Sequence, residues 1–492
     1  MKKQKLLVMI TFVLFICGVL SCKKSLDIVD ATNAAGKFKI KNATSVIGHP
    51  AGLQTSLRMY GYYSIWGGSW EQQMDSVNIN QLTDVCISFI NPNSSGVFTI
   101  SSDVAQAVIK GHNQEVKMHF SFGGGGGPAY WDNLIKPVNR AQVISNIRKV
   151  LTDYNFDGVD VDLENERITT DYNGFVIQLS DTLRRYSKEL SAALSPYQRN
   201  QLSDTVYSRL DFLNVMSYDY TKSTPQSHSS FAQFQTDFNN LKTKLPASKI
   251  NMGVPGYAWE YNGNTPTTQV SYKNIANQFP TAGVLNYKYA TSTKTWWFDG
   301  FPVLRQKVAY CLQQGAGGMM MWQIMHDPKD SRSLLKLMNY CAGNPIAAGF
   351  DPTLTYSLRA LNSYYAMEVA NGSLNDWIGI QQNPWIADNK QRWSLTATNN
   401  EFKITNINSG KVLDEVDETS SGNGLQFAQN SWHGGGNQRY KLVPNELGYY
   451  KIVNVASNRL ATVYQGSTAA GTKIVQANDV NGTNQQWLII NQ

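Results

Sequence analysis

Three acidic residues alternate with apolar ones in a short stretch of this chain. Asp160, Asp162 and Glu164 are separated by Val161 and Leu163. A period of two is typical of a β-strand, so the three carboxyl groups share one face. Burying neighbouring carboxylates is costly and raises their pKa values. Because strand and helix patterns alternate on both sides, the stretch favours a catalytic strand with one proton donor over a solvated acidic edge strand.

The elements that must position these acids are strands of an α/β fold. Eight apolar runs with helical patterns between them predict a (β/α)₈ TIM barrel over residues 51–343. The runs are Leu57–Ile65, Asp84–Ile90, Val116–Phe122, Gly158–Leu163, Glu189–Leu194, Phe212–Tyr218, Ile250–Val254 and Gly318–Trp322. Catalytic groups of such barrels gather at the carboxyl ends of the strands, and Glu164 follows the fourth run.

Three motifs carry a resemblance to a known enzyme family. The segment DGVDVDLE, residues 157–164, resembles the DGxDxDxE signature of family 18 glycoside hydrolases, which include many chitinases. SFGG, residues 121–124, is similar to the SxGG motif of that family, and MSYD, residues 216–219, to its MxYD segment. The glycines by themselves also fit a flexible loop, or a phosphate cradle, although no GKS/T sequence follows them.

The resemblance implies a role for each motif residue. Glu164 would donate the proton, Asp162 would orient the substrate's acetamide group, and Asp160 would share a proton with Asp162. The predicted catalytic residues are Glu164, Asp162, Asp160, Tyr218 and Asp219. The predicted substrate-binding residues are Trp322, Tyr62, Gly123, Gly124, Met216 and Tyr257. Outside these motifs, Tyr218 and Trp322 would be ordinary core aromatics and Asp219 a helix N-cap.

Membership in this family would imply substrate-assisted hydrolysis. The substrate's own acetamide oxygen attacks the anomeric carbon, so the reaction retains configuration and needs no metal or cofactor. We expect a chitinase that cleaves β-1,4 linkages between N-acetylglucosamine units. Two alternatives remain: an endo-β-N-acetylglucosaminidase that cleaves the chitobiose core of N-glycans, and a non-catalytic chitin-binding lectin. Lectins of this kind typically lack the last acid of the signature, which is Glu164 here.

Aromatic residues crowd the loops at the same predicted end of the barrel, as suits a saccharide cleft. They are Tyr62, Tyr63, Trp66, Trp70, Tyr130, Trp131, Tyr257 and Trp259. The segment 255–299, between the last two runs, is short for the α+β insertion that deepens the cleft of some chitinases. We therefore expect an open groove and endo cleavage.

Residues 357–492 contain three repeats. The triplets QRW, QRY and QQW begin at residues 391, 438 and 485, at equal intervals of 47 residues. Three equal β-rich repeats predict an all-β β-trefoil. The triplets resemble the QxW repeats of ricin B-type lectin domains, where they are chiefly core-forming.

The same resemblance implies one sugar site, in the middle repeat. Its residues would be Asp414, Gln426, Asn437 and Gln438. The last repeat has Ala461 at the Asp position, and the first repeat is shortened around residues 377–382. Ala428 stands where the family has an aromatic residue. A trefoil that serves as a spacer or a protein-contact module remains an alternative.

The amino terminus predicts export. Residues 1–22 have a basic start, an apolar run and a VLSC ending that looks like a lipobox, which implies a lipid on Cys22. Plain secretion is the alternative. Residues 23–50 would be a tether and 344–356 a linker. We expect a lipid-anchored or secreted protein of a bacterial cell envelope, outside the cytoplasm.

Composition limits the partners. Without the leader's three lysines, 40 basic residues oppose 36 acidic ones, too mild an excess to indicate nucleic-acid binding. Cys86, Cys311 and Cys341 lie in apolar surroundings and predict buried free thiols rather than a disulfide framework. We expect a monomer whose partners are a polysaccharide or oligosaccharide containing N-acetylglucosamine and, through the anchor, a membrane.

Overall fold

The computed structural model describes residues 57–289, 291, 293–344, 350–398, 401–416 and 422–492. The predicted leader, Cys22 and the tether lie outside these residues. No helix within the described ranges combines the length and apolar character that crossing a membrane requires.

The first domain is a closed barrel of eight parallel strands, as predicted. The strands of the whole domain are β1 (Arg58–Tyr63), β2 (Asp84–Ser88), β3 (Lys117–Gly123), β4 (Gly158–Asp162), β5 (Glu189–Leu194), β6 (Phe212–Val215), β7 (Ile250–Pro255), β8 (Tyr257–Asn262), β9 (Thr265–Ser271), β10 (Tyr287–Tyr289), β11 (Lys294–Trp297) and β12 (Gly318–Trp322). The barrel order is β1-β12-β7-β6-β5-β4-β3-β2, and each predicted run overlaps one barrel strand.

Helices cover the outside of the barrel. They are α1 (Trp70–Gln73), α2 (Ser102–His112), α3 (Trp131–Leu134), α4 (Arg140–Asp153), α5 (Thr170–Leu183), α6 (Asp204–Arg209), α7 (Phe231–Leu241), α8 (Tyr272–Gln278), α9 (Phe301–Gln314) and α10 (Leu334–Gly343). Val159 and Val161 of β4 join the large core that the barrel shares with these helices. A smaller core inside the barrel includes Tyr60, Tyr62 and Met320. The three predicted free cysteines are buried and unpaired by disulfides.

An α+β insertion lies between β7 and β12, and the prediction that this segment is too short for one was wrong. Strands β8 to β11 form a four-stranded antiparallel sheet in the order β10-β11-β8-β9, and α8 follows β9. Gly263 and Asn264 turn the chain between β8 and β9, with Gly263 at a φ of +57°. A two-residue turn with Gly first joins antiparallel strands tightly, so a compact insertion fits.

The second domain is an all-β trefoil of three four-stranded repeats, as predicted. Its strands are β13 (Tyr356–Ala360), β14 (Ala366–Val369), β15 (Ile378–Asn383), β16 (Trp393–Thr398), β17 (Glu401–Asn406), β18 (Val412–Glu415), β19 (Phe427–Asn430), β20 (Tyr440–Pro444), β21 (Tyr450–Asn454), β22 (Leu460–Val463), β23 (Ile474–Ala477) and β24 (Trp487–Asn491). The ring of each triplet, from Trp393, Tyr440 and Trp487, is buried in the trefoil core. Phe350, within the predicted linker, also packs there.

Candidate active site

Asp160 lies on β4 inside the barrel and is fully buried. Its Oδ2 accepts hydrogen bonds from the hydroxyls of Tyr62 (2.8 Å) and Ser121 (2.9 Å). Its Oδ1 accepts from the Ser191 hydroxyl (2.6 Å) and from Asn214 Nδ2 (3.2 Å). Burial raises the pKa of Asp160, and these four donors oppose that rise. The donors come from four other strands, so barrel closure itself builds this polar socket.

Asp162 and Glu164 lie next to each other at the carboxyl end of β4. Asp162 is buried, and its side chain is hydrogen-bonded to Glu164. Burial raises the pKa of Asp162, and the negative charges of Glu164 and Asp160 raise it further. Burial also raises the pKa of the half-buried Glu164, and Asp219 adds to that rise. A carboxylic acid that keeps its proton near neutral pH can act as a general acid.

Asp219 follows β6 and is held by ring donors. Its Oδ1 accepts hydrogen bonds from the Tyr257 hydroxyl (2.7 Å) and from Trp259 Nε1 (2.8 Å). His228 Nδ1 lies 3.4 Å from the same oxygen. Although burial opposes it, the hydrogen bonds from His228, Trp259 and Tyr257 lower the pKa of Asp219. The pKa of Asp219 is therefore shifted in the opposite direction from the pKa values of the two neighbouring carboxyl groups.

Asp162, Glu164 and Asp219 line one cavity of about 250 Å³. Its wall consists of Tyr62, Phe89, Gly125, Asp162, Glu164, Ala193, Met216, Tyr218, Asp219, Tyr257, Gln269 and Trp322. Trp322, at the end of β12, stacks on Phe89 (5.6 Å between ring centroids, 29° between planes) and meets the edge of Tyr62 at 5.5 Å. A flat, partly exposed indole next to acids is the surface that the apolar face of a sugar ring fits.

Two of the predicted contact glycines support the site from behind instead. A Cβ on Gly123 would lie 2.2 Å from the Asp162 carbonyl oxygen, and one on Gly124 would lie 2.7 Å from the Phe89 ring. Both have positive φ, at +104° and +89°. Gly125, one residue further, reaches the wall, where a Cβ would be 3.3 Å from Glu164 Oε1. Gly125 therefore lines the cavity, whereas substrate contact by Gly123 and Gly124 stays a prediction.

The aromatic residues predicted at the rim divide between cleft and core. Tyr63 and Trp131 are buried in the outer core, where Trp131 stacks on Phe122 at 4.5 Å. Tyr62 touches the cavity only from below, because its hydroxyl is committed to Asp160. Trp66 is 89% exposed, and Trp259 stands beside Asp219.

Several site residues were missed by the sequence predictions. Ser191 and Asn214 hold Asp160, Phe89 supports Trp322, His228 contacts Asp219, and Gln269 of the insertion lines the cavity. For Ser191 and Asn214 the signal was a small polar residue on a strand that is otherwise apolar. Such residues are common, so nothing in the sequence singled them out.

In the trefoil, three of the four predicted sugar-site residues form one cluster. Asp414 Oδ1 accepts from Asn437 Nδ2 (2.9 Å), and Oδ2 accepts from Gln438 Nε2 (2.6 Å). Gln426 is not part of this cluster, since its amide donates to the Ile380 carbonyl oxygen (3.1 Å). Asp414 is fully buried, and the half-exposed His433 lies 3.8 Å from it.

Equivalent pairs in the other repeats correct the predicted alignment. Gln391 Nε2 donates to Glu368 (2.8 Å), as Gln438 donates to Asp414. Gln485 Nε2 donates to the Thr462 hydroxyl (3.2 Å), so Thr462, not Ala461, holds the Asp position of the last repeat. Ala461 instead offers its carbonyl oxygen to Trp487 Nε1 (2.9 Å). The middle repeat thus has the Asp, the first a Glu and the last a hydroxyl.

Known proteins match both domains. Residues 58–327 match the family model described as glycosyl hydrolases family 18, and residues 350–492 match, in three overlapping segments, the ricin-type beta-trefoil lectin domain-like family. The chain is 23% identical over 379 residues to Endochitinase 1 of Metarhizium robertsii, spanning 61% of this chain and 88% of that enzyme. It is 24% identical over 330 residues to the class V chitinase of Arabidopsis thaliana, spanning 55% and 87%.

Solved structures agree on the barrel. The GH18 chitinase ChiB of Flavobacterium johnsoniae, from a chitin utilization locus, is 28% identical, with a TM-score of 0.53 and coverage of 58% of this chain and 93% of that one. A chitinase-like agglutinin of Robinia pseudoacacia shares the fold at 22% identity and a TM-score of 0.50, covering 57% and 99%. This chain therefore belongs to glycoside hydrolase family 18 and carries a carboxyl-terminal ricin-type β-trefoil domain.

Proposed function

We propose that this chain is a chitinase that hydrolyses β-1,4 linkages between N-acetylglucosamine units by a retaining, substrate-assisted mechanism. One observation carries the proposal. Asp162 and Glu164 lie at the wall of a cavity that Trp322 also lines, and burial raises the pKa of each. The described side chains around this pair include hydroxyl and indole groups. The positive charge of Arg167 opposes the rise in the pKa of Glu164.

Glu164 is the proton donor in this proposal. The acetamide oxygen of the substrate attacks the anomeric carbon while the bond to the leaving oxygen breaks, and the Glu164 proton passes to that oxygen. The resulting oxazolinium ion is opened by a water molecule, whose proton returns to Glu164. Two displacements at one carbon give net retention. The raised pKa of Glu164 favours the protonated form that the first step requires.

Asp162 positions the acetamide group. Asp162 Oδ1 is buried and has no hydrogen-bond partner among the described residues, so it can accept the acetamide N–H. Charge on Asp162 then stabilises the cationic intermediate. Asp160 keeps its four hydrogen bonds and restricts the positions that the Asp162 side chain can adopt.

The remaining wall residues bind the sugar. The Tyr218 hydroxyl holds the acetamide oxygen, and Asp219 supports the same group from the adjacent position. Trp322 forms the floor beneath the reacting ring, with Met216 packed in the same inner cluster. Tyr257 acts through Asp219, to which its hydroxyl is bonded.

Chitin is the preferred substrate because the relatives described above are named chitinases. An endo-β-N-acetylglucosaminidase acting on N-glycans is the second candidate enzyme. Because the insertion is present, an open groove no longer supports endo cleavage. The proposal of endo cleavage rests on the relative named an endochitinase. A lectin-like barrel has a precedent in the agglutinin, but the protonatable Glu164 favours an enzyme.

The trefoil and the amino terminus complete the proposal. The trefoil would bind saccharide through the cluster of Asp414, Asn437 and Gln438, with His433 at its edge. Cys22 would carry a lipid that holds a monomeric protein at the bacterial envelope, facing away from the cytoplasm.

Mass spectrometry of reaction products tests the proposal. The soluble chain is incubated separately with N-acetylglucosamine oligomers and with a high-mannose glycoprotein, beside the Glu164→Gln variant. We expect shortened oligomers from the wild type and none from the variant. An intact glycan released from the glycoprotein would favour the second candidate enzyme. The absence of product from both substrates would favour the lectin.

A further inference from the structure

A turn of the trefoil lies against the insertion of the barrel. The turn joins β20 to β21 and comprises residues 445–449, named here the trefoil turn. The Asn286 N–H, just before β10, donates to the Leu447 carbonyl oxygen (3.0 Å), and Asn286 Nδ2 donates to the Glu446 carbonyl oxygen (2.9 Å). These bonds tie one residue of the insertion to two backbone oxygens of the other domain.

The trefoil turn is pre-formed and fits closely. Asn445 Oδ1 accepts from the N–H groups of Leu447 (3.0 Å) and Tyr449 (3.1 Å). Gly448 has a φ of +97°, and a Cβ there would lie 2.9 Å from Pro302 Cγ and 3.1 Å from Leu285 Cα. Since side chains essentially never approach that closely, the contact requires glycine.

A second contact fixes the domains at α9. The guanidinium of Arg305 lies 4.3 Å above the Phe350 ring, and its Nη1 donates to the Tyr450 hydroxyl (3.3 Å). A cation over an aromatic face is attracted to it, and more strongly when water is excluded. Two separate anchors restrict both sliding and rotation of the trefoil against the barrel.

A continuous series of contacts leads from the trefoil turn to the catalytic acids. The Tyr449 and Tyr287 hydroxyls are 3.2 Å apart, and the Tyr287 ring stacks on Trp297 (5.1 Å, 24°). Trp297 of β11 is the strand partner of Trp259 of β8. Trp259 Nε1 in turn donates to Asp219 Oδ1 (2.8 Å). Gln269, on the neighbouring strand β9, is at the cavity wall.

We propose that the trefoil turn is a positioning element of the catalytic cleft. It holds the outer edge of the insertion, so the opposite strands β8 and β9 present Trp259 and Gln269 to the substrate in one arrangement. The trefoil then contributes to binding of short soluble oligomers that never touch its own saccharide cluster. This inference rests on the proposed function only in taking N-acetylglucosamine oligomers as the cleft's ligand.

Two glycine variants of the full soluble chain test the inference. Gly448→Ala drives a methyl group into Pro302 and Leu285, whereas Gly471→Ala, also at positive φ (+74°) in the trefoil, meets nothing within 4 Å. Both variants carry the same kind of backbone strain, but only the first disturbs the domain contact. Tyr449→Phe, which removes one hydroxyl, is a milder second variant.

Steady-state kinetics on the N-acetylglucosamine tetramer and amide hydrogen exchange are measured on each chain. For Gly448→Ala we expect faster exchange at the Asn286 amide, a KM about fivefold higher and a kcat within about twofold of wild type. Tyr449→Phe should raise KM by about twofold, a smaller change in the same direction. Gly471→Ala should match the wild type in both measurements.

Several results would overturn the inference. Faster Asn286 exchange in Gly448→Ala with unchanged KM would mean that the contact does not position the wall. Unchanged exchange together with unchanged KM would mean that the close contact is absent in solution. Equal losses in Gly448→Ala and Gly471→Ala would indicate general damage to the trefoil. A wild type that cleaves no oligomer would refute the proposed function, and calorimetric affinity for the tetramer would then replace KM.

Discussion

The barrel holds acidic residues at both ends, on different strands, and the two clusters differ in their neighbours. At the amino end, Arg58 Nη1 lies 3.0 Å from both Asp84 and Glu189, and His119 Nε2 lies 2.9 Å from Asp84. Lys117 adds a further ion pair to Glu189 at 2.7 Å. At the carboxyl end, Asp160, Asp162 and Glu164 instead meet hydroxyl groups, amides and one another.

The two ends consequently shift pKa values in opposite directions. Burial opposes ionisation at the amino end, but Arg58 and His119 outweigh it and hold the pKa of Asp84 below its usual range. At the carboxyl end burial and like charges raise the pKa values of Asp162 and Glu164, and at Glu164 they outweigh the hydrogen bond from Asp162 and the charge of Arg167. Acids neutralised by cations stabilise a fold, whereas acids left uncompensated near a cavity are available for proton transfer.

The largest expected effect is from Glu164→Gln. The amide keeps the shape of the side chain but has no proton to donate, so kcat on N-acetylglucosamine oligomers should fall about 10²- to 10⁴-fold. The melting temperature should stay the same or rise, because a buried acid is removed. A variant that retains more than a tenth of wild-type kcat would contradict the assignment of Glu164 as the acid.

Asp162→Asn, at the carboxyl end of the barrel, should change activity and stability in opposite directions at pH 7. We expect kcat to fall by about 10²-fold, because the acetamide loses its charged partner. The folded-state pKa of Asp162 is raised, so its ionisation costs stability as pH rises from about 4 towards that pKa. Thermal melts should therefore show a higher melting temperature for the variant at pH 7 but not at pH 4. A lower melting temperature at pH 7 would assign Asp162 a structural role.

Arg58→Met tests the amino end. The change leaves Asp84 buried without its cation, so urea unfolding of the barrel should show a loss of about 3 kcal/mol, with kcat per folded molecule unchanged. Asp84 and Glu189 have lowered pKa values, so their contribution is present above about pH 4 and disappears as pH falls through the folded-state values. The loss of stability caused by Arg58→Met should therefore become smaller as the pH falls.

Arg58→Lys is the matched control for this prediction, because it keeps the positive charge while losing the paired geometry. It should lose less stability than Arg58→Met. A fall in kcat in either variant without a change in stability would mean that the amino-end cluster also acts on the chemistry.

The smallest expected effect concerns pH. Asp219 raises the pKa of Glu164, so Asp219→Asn should move the alkaline limb of kcat/KM to lower pH. The shift should be less than about one pH unit, since Asp219 is partly exposed and solvent screens it. Trp259→Phe, which keeps the Asp219 charge, should leave the limb near its wild-type position. Movement of the alkaline limb to higher pH in Asp219→Asn would contradict the claim that Asp219 raises the pKa of Glu164.

Features that depend on alternating apolar residues or on short motifs could be predicted from the sequence. Barrel strands, the acid face of β4 and the Tyr218–Asp219 pair all follow from local patterns, and each lies where expected. The insertion was missed although its signal was present, since Gly263-Asn264 between two strand-like runs is a hairpin pattern. The length of the segment alone was misleading, because strands of only 3 to 7 residues are enough to form this sheet.

Other features depend on closure of the barrel. Arg58 and Glu189 are 131 residues apart in sequence, so no local pattern announces their ion pair. The Asp160 socket likewise collects Ser191 and Asn214 from separate strands. The trefoil alignment slipped by one residue at Ala461 because Thr462 is neither acidic nor amide-bearing. Only the hydrogen bond from Gln485 identifies it.

The most direct test of the account is proton NMR of a fresh digest of the N-acetylglucosamine pentamer by the wild type and Glu164→Gln. Substrate assistance with Glu164 as the acid predicts that the wild type first forms the β-anomer, which then equilibrates with the α-anomer. The variant should leave the pentamer intact over the same period. An α-anomer formed first, or cleavage by the variant at the wild-type rate, would contradict the mechanism.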